Sequence, residues 1–234
     1  MPTTPLLLAS LLNRGCALQP SNLLVEKTST GYSTITLKNH ASRSAALAHA
    51  LTTAGILRGD RVATFSYNTN RHMACYHAVP LMGAVLHPLN IRLGPKELGY
   101  ILGHAGDKVA IVDAFLLPAF AKVSAAALGK LAAVIICGAD DRSGGWQGSD
   151  AARTLVSKVG REKVVDFDDF VAPALTSGKP FPWPEDVDEH SACAMCYTSG
   201  TTGNPKGVLY SHRSTFLHTL AMPAKDQHNL FVED

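Results

Sequence analysis

No apolar run in this 234-residue chain approaches the roughly 20 residues a membrane helix needs, so a helical membrane span is not expected. Blocks of like charge are also missing. Charged residues make up 17% of the chain and the net charge is +2, which argues against a nucleic-acid footprint. There is no internal repeat and no low-complexity tract, which excludes solenoids and repeat arrays. The apolar stretch from Pro5 to Leu12 has no Lys or Arg ahead of it and no small-residue cleavage site behind it, so a signal peptide is not expected. No acidic residue precedes Glu26, which leaves an organellar transit segment open. Cys193 and Cys196 form a C-x-x-C, but no second pair follows at metal-site spacing, and on a strand the two would face opposite sides. The five cysteines are odd in number and scattered, so they read as reduced structural thiols of the cytoplasm or an organellar matrix.

What is present is a core. With 46% hydrophobic residues the chain can bury a large α/β domain. An amphipathic segment from Leu6 to Arg14 leads to a strand from Tyr32 to Thr36, and Thr36 caps a helix from Leu37 to Ala54. Strands follow at 61–66, 84–89, 108–112 and 131–137, with helices between them at 69–83, 95–104 and 116–128. This alternation calls for a parallel or mixed sheet flanked by helices. Gly138 to Ser149 reads as a loop, the acidic patch from Asp166 to Asp169 as a solvated loop face, and Ser177 to His190 as a surface linker.

That linker runs into Tyr197-Thr198-Ser199-Gly200-Thr201-Thr202-Gly203-Asn204-Pro205-Lys206-Gly207, the most informative stretch of the chain. Glycines at 200, 203 and 207 allow close backbone approach, so several N–H groups can converge on an anion. Thr198, Ser199, Thr201 and Thr202 add hydroxyls, and Lys206 adds a mobile positive charge. The spacing is not that of a Walker loop, which needs Gly, four residues, then Gly-Lys-Ser/Thr above a helix N-terminus. The flanks at 191–197 and 207–211 read instead as strands, so the loop is expected to join two strands and to be held at its ends.

Tyr197 to Gly207 resembles the signature loop of the AMP-forming, adenylate-making superfamily, which includes acyl-CoA synthetases, peptide-synthetase adenylation domains and luciferase. The continuation Val208 to Ser214, the approach Trp183-Pro184-Glu185-Asp186 and Asp188-Glu189, and Met195-Cys196 are most similar to the medium- and long-chain fatty-acid–CoA ligase branch. Gly59 to Ala63, Gly83 to Val85, Pro88 to Asn90 and Glu97 to Leu102 resemble the superfamily's N-terminal landmarks in order. The resemblance therefore implies that residues 1–234 are the N-terminal part of an AMP-binding domain, with the rest of that domain and a small C-terminal domain lying beyond Asp234.

The resemblance also implies two-step chemistry. A carboxylate attacks the α-phosphorus of ATP and expels pyrophosphate, and the thiol of coenzyme A then displaces AMP from the acyl-adenylate. Thr198, Ser199, Gly200, Thr201, Thr202, Gly203 and Lys206 are the expected phosphate contacts, Lys206 is the expected catalytic residue, and Ser199 and Thr201 are the expected contacts to Mg²⁺. His212 could be read as a general base, but a carboxylate is already ionised at neutral pH, so capping or packing at the start of a helix from Ser214 is expected. The expected partners are a carboxylic acid, ATP and coenzyme A, with a homodimer left open. Two other readings stand beside this one: a non-catalytic nucleotide- or partner-binding protein, and a ligase for an aromatic or short-chain acid.

Overall fold

The strand Arg61–Phe65 (β3) alternates its side chains between two cores, and its neighbours do the same. In this computed structural model, which describes residues 4–28, 31–138, 145–198 and 203–222, β3 lies at the centre of a seven-stranded sheet. Before it come the helix Leu8–Leu18 (α1), an antiparallel hairpin of Leu23–Lys27 (β1) and Tyr32–Thr36 (β2), and the helix Leu37–Thr53 (α2). After it come Asn70–Leu81 (α3), Val85–Pro88 (β4), Pro95–Ala105 (α4), Val109–Asp113 (β5), Leu117–Phe120 (α5), Ala125–Leu128 (α6) and Ala133–Cys137 (β6). The remainder is Asp150–Val159 (α7), Val164–Asp166 (β7), Phe167–Ser177 (α8), Ala192–Thr198 (β8), Lys206–Ser211 (β9) and His212–Ala221 (α9).

The sheet order is β7-β6-β5-β3-β4-β8-β9, parallel throughout except for β9, which pairs antiparallel with β8 at one edge. Ala63, Phe65, Ala110, Val112, Val134 and Ile136 point to a face covered by α4 to α7, where Leu98, Phe120, Leu128 and Leu155 are buried. Val62, Val109, Ile111 and Ile135 point to the other face, against Leu47 and Leu51 of α2, Val79 of α3, and Phe167 and Val171 of α8. Burial on both faces is why these strands read as near-continuous apolar runs. No helix among the described residues is long and apolar enough to cross a membrane.

The cap expected at Thr36 forms, and other side-chain caps set further helix starts. Thr36 accepts from the Asn39 amide and Thr69 from the His72 amide. Three readings are corrected. The segment 116–128 is not one helix, because the chain turns extended at Ser124, whose hydroxyl caps a new helix by accepting from the Ala127 amide. The patch from Asp166 to Asp169 is exposed at Asp168 and Asp169 as expected, but it is the end of β7 and the first turn of α8 rather than a loop. Asp166 caps α8 by accepting from the Asp168 amide and also accepts from the Trp146 indole at 2.9 Å, Asp168 pairs with Arg71 at 2.7 Å, and Phe167 is wholly buried. Finally, α9 starts at His212 rather than Ser214, with Ser211 as its cap.

Two histidines meet where α2 packs on α3. His40 is wholly buried, with its Nε2 2.9 Å from Nδ1 of His77. Burial, then the nearby charges of His77 and Arg43, lower the His40 pKa to about 4, and burial lowers His77 as well. The folded pKa of His40 lies below its unfolded value, so its contribution to stability is complete above about pH 6.5 and is lost as the pH falls toward 4. That shift corresponds to about 3 kcal/mol. Urea unfolding is expected to show a midpoint that drops between pH 7 and 4.5, and His40→Asn to flatten the drop; a midpoint constant over this range contradicts it.

Candidate phosphate-binding hairpin and its anchor

The site is built on the β8–β9 hairpin at the sheet's edge. β8 runs parallel to β4, so its last residue, Thr198, emerges at the carboxyl ends of the parallel strands, where open α/β sheets bind their ligands. Thr198 is in register with Lys206, the first residue of β9, and the pair below is Tyr197 with Gly207. Thr198 and Lys206 are both exposed and stand opposite each other at the two ends of the connection. Gly203 is also exposed, with open space where a Cβ would be. Ser199, Gly200, Thr201 and Thr202 lie outside the described residues. The structure thus places three of the seven expected phosphate contacts, on or beside the two strands that carry the loop.

Tyr197 fastens this hairpin to the body of the sheet. Its hydroxyl is 2.6 Å from Nδ1 of His104, in the last turn of α4, and the two rings meet edge to face at 5.8 Å. Tyr100, one turn earlier, stacks on His104 at 5.4 Å. On the other side the Tyr197 ring lies 5.2 Å from His87, whose Nδ1 pairs with Asp107 at 2.9 Å in a wholly buried ion-pair geometry. Burial raises the Tyr197 pKa, with the charges of Asp107 and Tyr100 adding to it, so the phenol keeps its proton. Burial likewise raises Asp107, opposed by the His87 hydrogen bond. At Gly207 a Cβ would come within 3.2 Å of the Tyr197 ring and 3.3 Å of the Met195 sulfur, a tight fit in which these side chains would have to give by a few tenths of an ångström.

Polar clamps hold the linker that leads into β8. Arg58 pairs with Asp186 at 2.5 Å. Glu189 accepts from the Leu6 amide at 2.6 Å and from the Arg213 guanidinium at 2.6 Å, and these bonds lower its pKa, the Leu6 amide contributing most. His212 is 98% buried, and neither ring nitrogen has a hydrogen-bond partner among the described residues. Burial lowers its pKa, and the cap of α9 is Ser211, so of the two expected roles His212 has the packing one. Cys193 is buried beside Thr215 and Cys196 is half-buried, and both are free thiols.

A crevice of about 550 Å³ opens at the carboxyl-end side of the sheet, above β3, β5 and β6 and across β4 from the hairpin. Tyr67, Asn68 and Thr69, Asp113 to Phe115, and Cys137 line it. The strand order reverses between β3 and β5, which puts the crevice at a topological switch point.

The sequence pattern of the AMP-binding enzyme family matches residues 14–232. The chain belongs to the AMP-binding enzyme family. The 3-methylmercaptopropionyl-CoA ligase of Ruegeria pomeroyi is 37% identical to this AMP-binding chain over 223 residues, which is 95% of the chain and 38% of the relative. The medium-chain-fatty-acid–CoA ligase of Ectopseudomonas oleovorans is 38% identical over 192 residues, 82% of the chain and 32% of the relative. A solved anthranilate CoA ligase, AuaEII, in complex with anthranoyl-AMP, superposes with a TM-score of 0.71 at 19% identity, over 91% of this chain and 36% of that one, a likeness of fold alone. The chain spans about a third of the length of the relatives it matches.

Sequence reasoning found the two strands, 192–198 and 206–211, that carry the expected loop. It did not find the anchor, because His104 lies 93 positions before Tyr197 and only the packing of α4 beside β8 unites them. No local signal marks such a pair.

Proposed function

We propose that the complete protein is an AMP-forming acid–CoA ligase and that this chain supplies its phosphate-binding hairpin. The observation that carries the reading is the ladder pair Thr198 and Lys206, which sets a hydroxyl and a cation opposite each other at the base of the glycine- and hydroxyl-rich connection. Charge builds on pyrophosphate as its bond to the α-phosphorus breaks. Donors aimed at the β- and γ-oxygens therefore stabilise the transition state more than bound ATP. Thr198, Ser199, Gly200, Thr201, Thr202 and Gly203 are assigned to those oxygens, and Lys206 to charge neutralisation.

Hydroxyl oxygens are hard donors of the kind Mg²⁺ accepts, and no cluster of three His, Cys, Asp or Glu side chains suited to a metal occurs among the described residues. Mg²⁺ thus fits here as a companion of the ATP phosphates, with Ser199 and Thr201 as its protein contacts. It supplies charge neutralisation on the leaving group.

For the acid, we propose a medium- or long-chain fatty acid, the medium-chain class being named in the E. oleovorans relative and the long-chain class in a 37% identical ligase of Thermus thermophilus. A short thioether acid is the second reading, favoured by the 37% identity to the R. pomeroyi ligase over 95% of the chain. The test is ATP–pyrophosphate exchange by the full-length protein over a panel of acids. Exchange strongest with medium or long chains is expected. Preference for coumarate-like acids overturns the branch assignment, and ATP binding without exchange on any acid leaves a non-catalytic nucleotide-binding protein.

A further inference from the structure

The phosphate-binding reading leaves open what holds the hairpin in the direction the phosphates require. The ladder to β4 does not do so alone, because the recorded pairing of β8 with β4 is at Leu86 and Ala194, three residues before Tyr197. Beyond that point β8 runs on to the loop with β9 at its side, and β9 is itself the sheet's edge strand. A two-stranded ribbon beyond the body of a sheet twists more freely than one flanked by further strands.

One hydrogen bond ties the ribbon down. The Tyr197 hydroxyl, next in sequence to the first phosphate contact, meets Nδ1 of His104 at 2.6 Å. His104 is in turn seated against Tyr100, and the face of α4 carrying Leu98, Ile101 and Leu102 is buried in the core, so the anchor point belongs to a rigid element. Gly207 completes the fixture, because a Cβ there would press on the Tyr197 ring.

We propose that His104 is a positioning residue of the phosphate loop, acting through Tyr197 to fix the orientation of Thr198 and Lys206. The inference rests on the phosphate-binding reading. With the imidazole proton on Nε2, Nδ1 accepts the hydrogen bond from the phenol, and the phenol ring then fixes where the last ladder pair stands. His104 is exposed and lies outside the loop, so in this role its effect on ATP passes through the Tyr197 hydroxyl and the hairpin.

The test is ATP–pyrophosphate exchange by the full-length protein, reading KM separately for ATP and for the acid. His104→Leu removes the acceptor, Tyr197→Phe removes the donor and keeps the ring, and His104→Asn keeps an acceptor close to the position of Nδ1. The first two are expected to raise the KM for ATP about three- to tenfold, the equivalent of one lost hydrogen bond, with the acid's KM unchanged. His104→Asn should stay within about twofold of the parent, and the Leu/Phe double variant should be no worse than the poorer single one.

An unchanged KM for ATP in both single variants, alongside a strong loss in Lys206→Ala, overturns the positioning role and leaves the phosphate loop standing. Parallel rises in the KM values for ATP and acid also overturn it, because they mark a general structural defect. If the parent protein shows neither ATP binding nor exchange, the phosphate-binding reading itself fails and this inference falls with it.

Discussion

Lys206→Ala in the full-length protein is expected to lower ATP–pyrophosphate exchange by about two to three orders of magnitude, the loss seen when one preorganised electrostatic contact to a transition state is removed. Lys206 opens β9 opposite Thr198, so it is held at its backbone while its ammonium stays exposed and mobile. An ammonium on a four-carbon stem suits a phosphate as a point charge and can follow the oxygens as charge moves to them. Lys206→Arg keeps the charge and should retain part of the activity, whereas Lys206→Gln should behave like alanine. Folding should be little affected, because the side chain is exposed and makes no hydrogen bond or ion pair among the described residues. Exchange within about threefold of the parent in Lys206→Ala would remove the lysine from the mechanism.

The second large effect is on stability. Asp107 and His87 are wholly buried and paired at 2.9 Å, and His87 Nε2 has no partner among the described residues. Removing one member leaves the other buried without its counterpart, which costs about 3–5 kcal/mol. Asp107→Leu should therefore lower the unfolding free energy by that amount in urea titrations. The double variant His87→Leu with Asp107→Leu buries no polar group at either position and should recover at least half of the loss. A loss below about 1 kcal/mol in Asp107→Leu, or no recovery in the double variant, would show that the pair is not held as a desolvated unit. Because Tyr197 packs against His87, the single variants should also disturb the hairpin.

The parts of the fold that were legible in the sequence are those fixed by local chemistry. Thr36 announced its helix by the same hydroxyl-to-amide bond that forms in the structure. β3, β5 and β6 showed themselves as short apolar runs because both their faces are covered. The hairpin was legible because glycine, hydroxyl and lysine in that pattern have few other uses. The stretch from Asp150 to Ser177, which forms α7, β7 and α8, was not read as helices and a strand. Its signals were there in Ser149 and Asp166, each a cap to the helix that follows, but the run of charge at Asp168 and Asp169 was read as a loop when it is the exposed first turn of α8. The break at Ser124 is of the same kind, a hydroxyl choosing the next helix over the continuing one. The His104 to Tyr197 bond and the buried His87 to Asp107 pair lie beyond any local reading, since tertiary packing alone brings their partners together.

The strand order has a bearing on how such a protein is made. The first strand of the large sheet to leave the ribosome, β3, is its central one, and β4 and then β5 dock on its two sides. β6 and β7 extend one flank, after which β8 and β9 extend the other. Every new strand meets an edge already exposed, and none has to be inserted between two that have paired. Synthesis and assembly can therefore proceed in the same direction, each step using the previous strand as its template. The β8–β9 hairpin is added to a sheet whose other five strands are already in place, so its geometry is inherited from a finished platform.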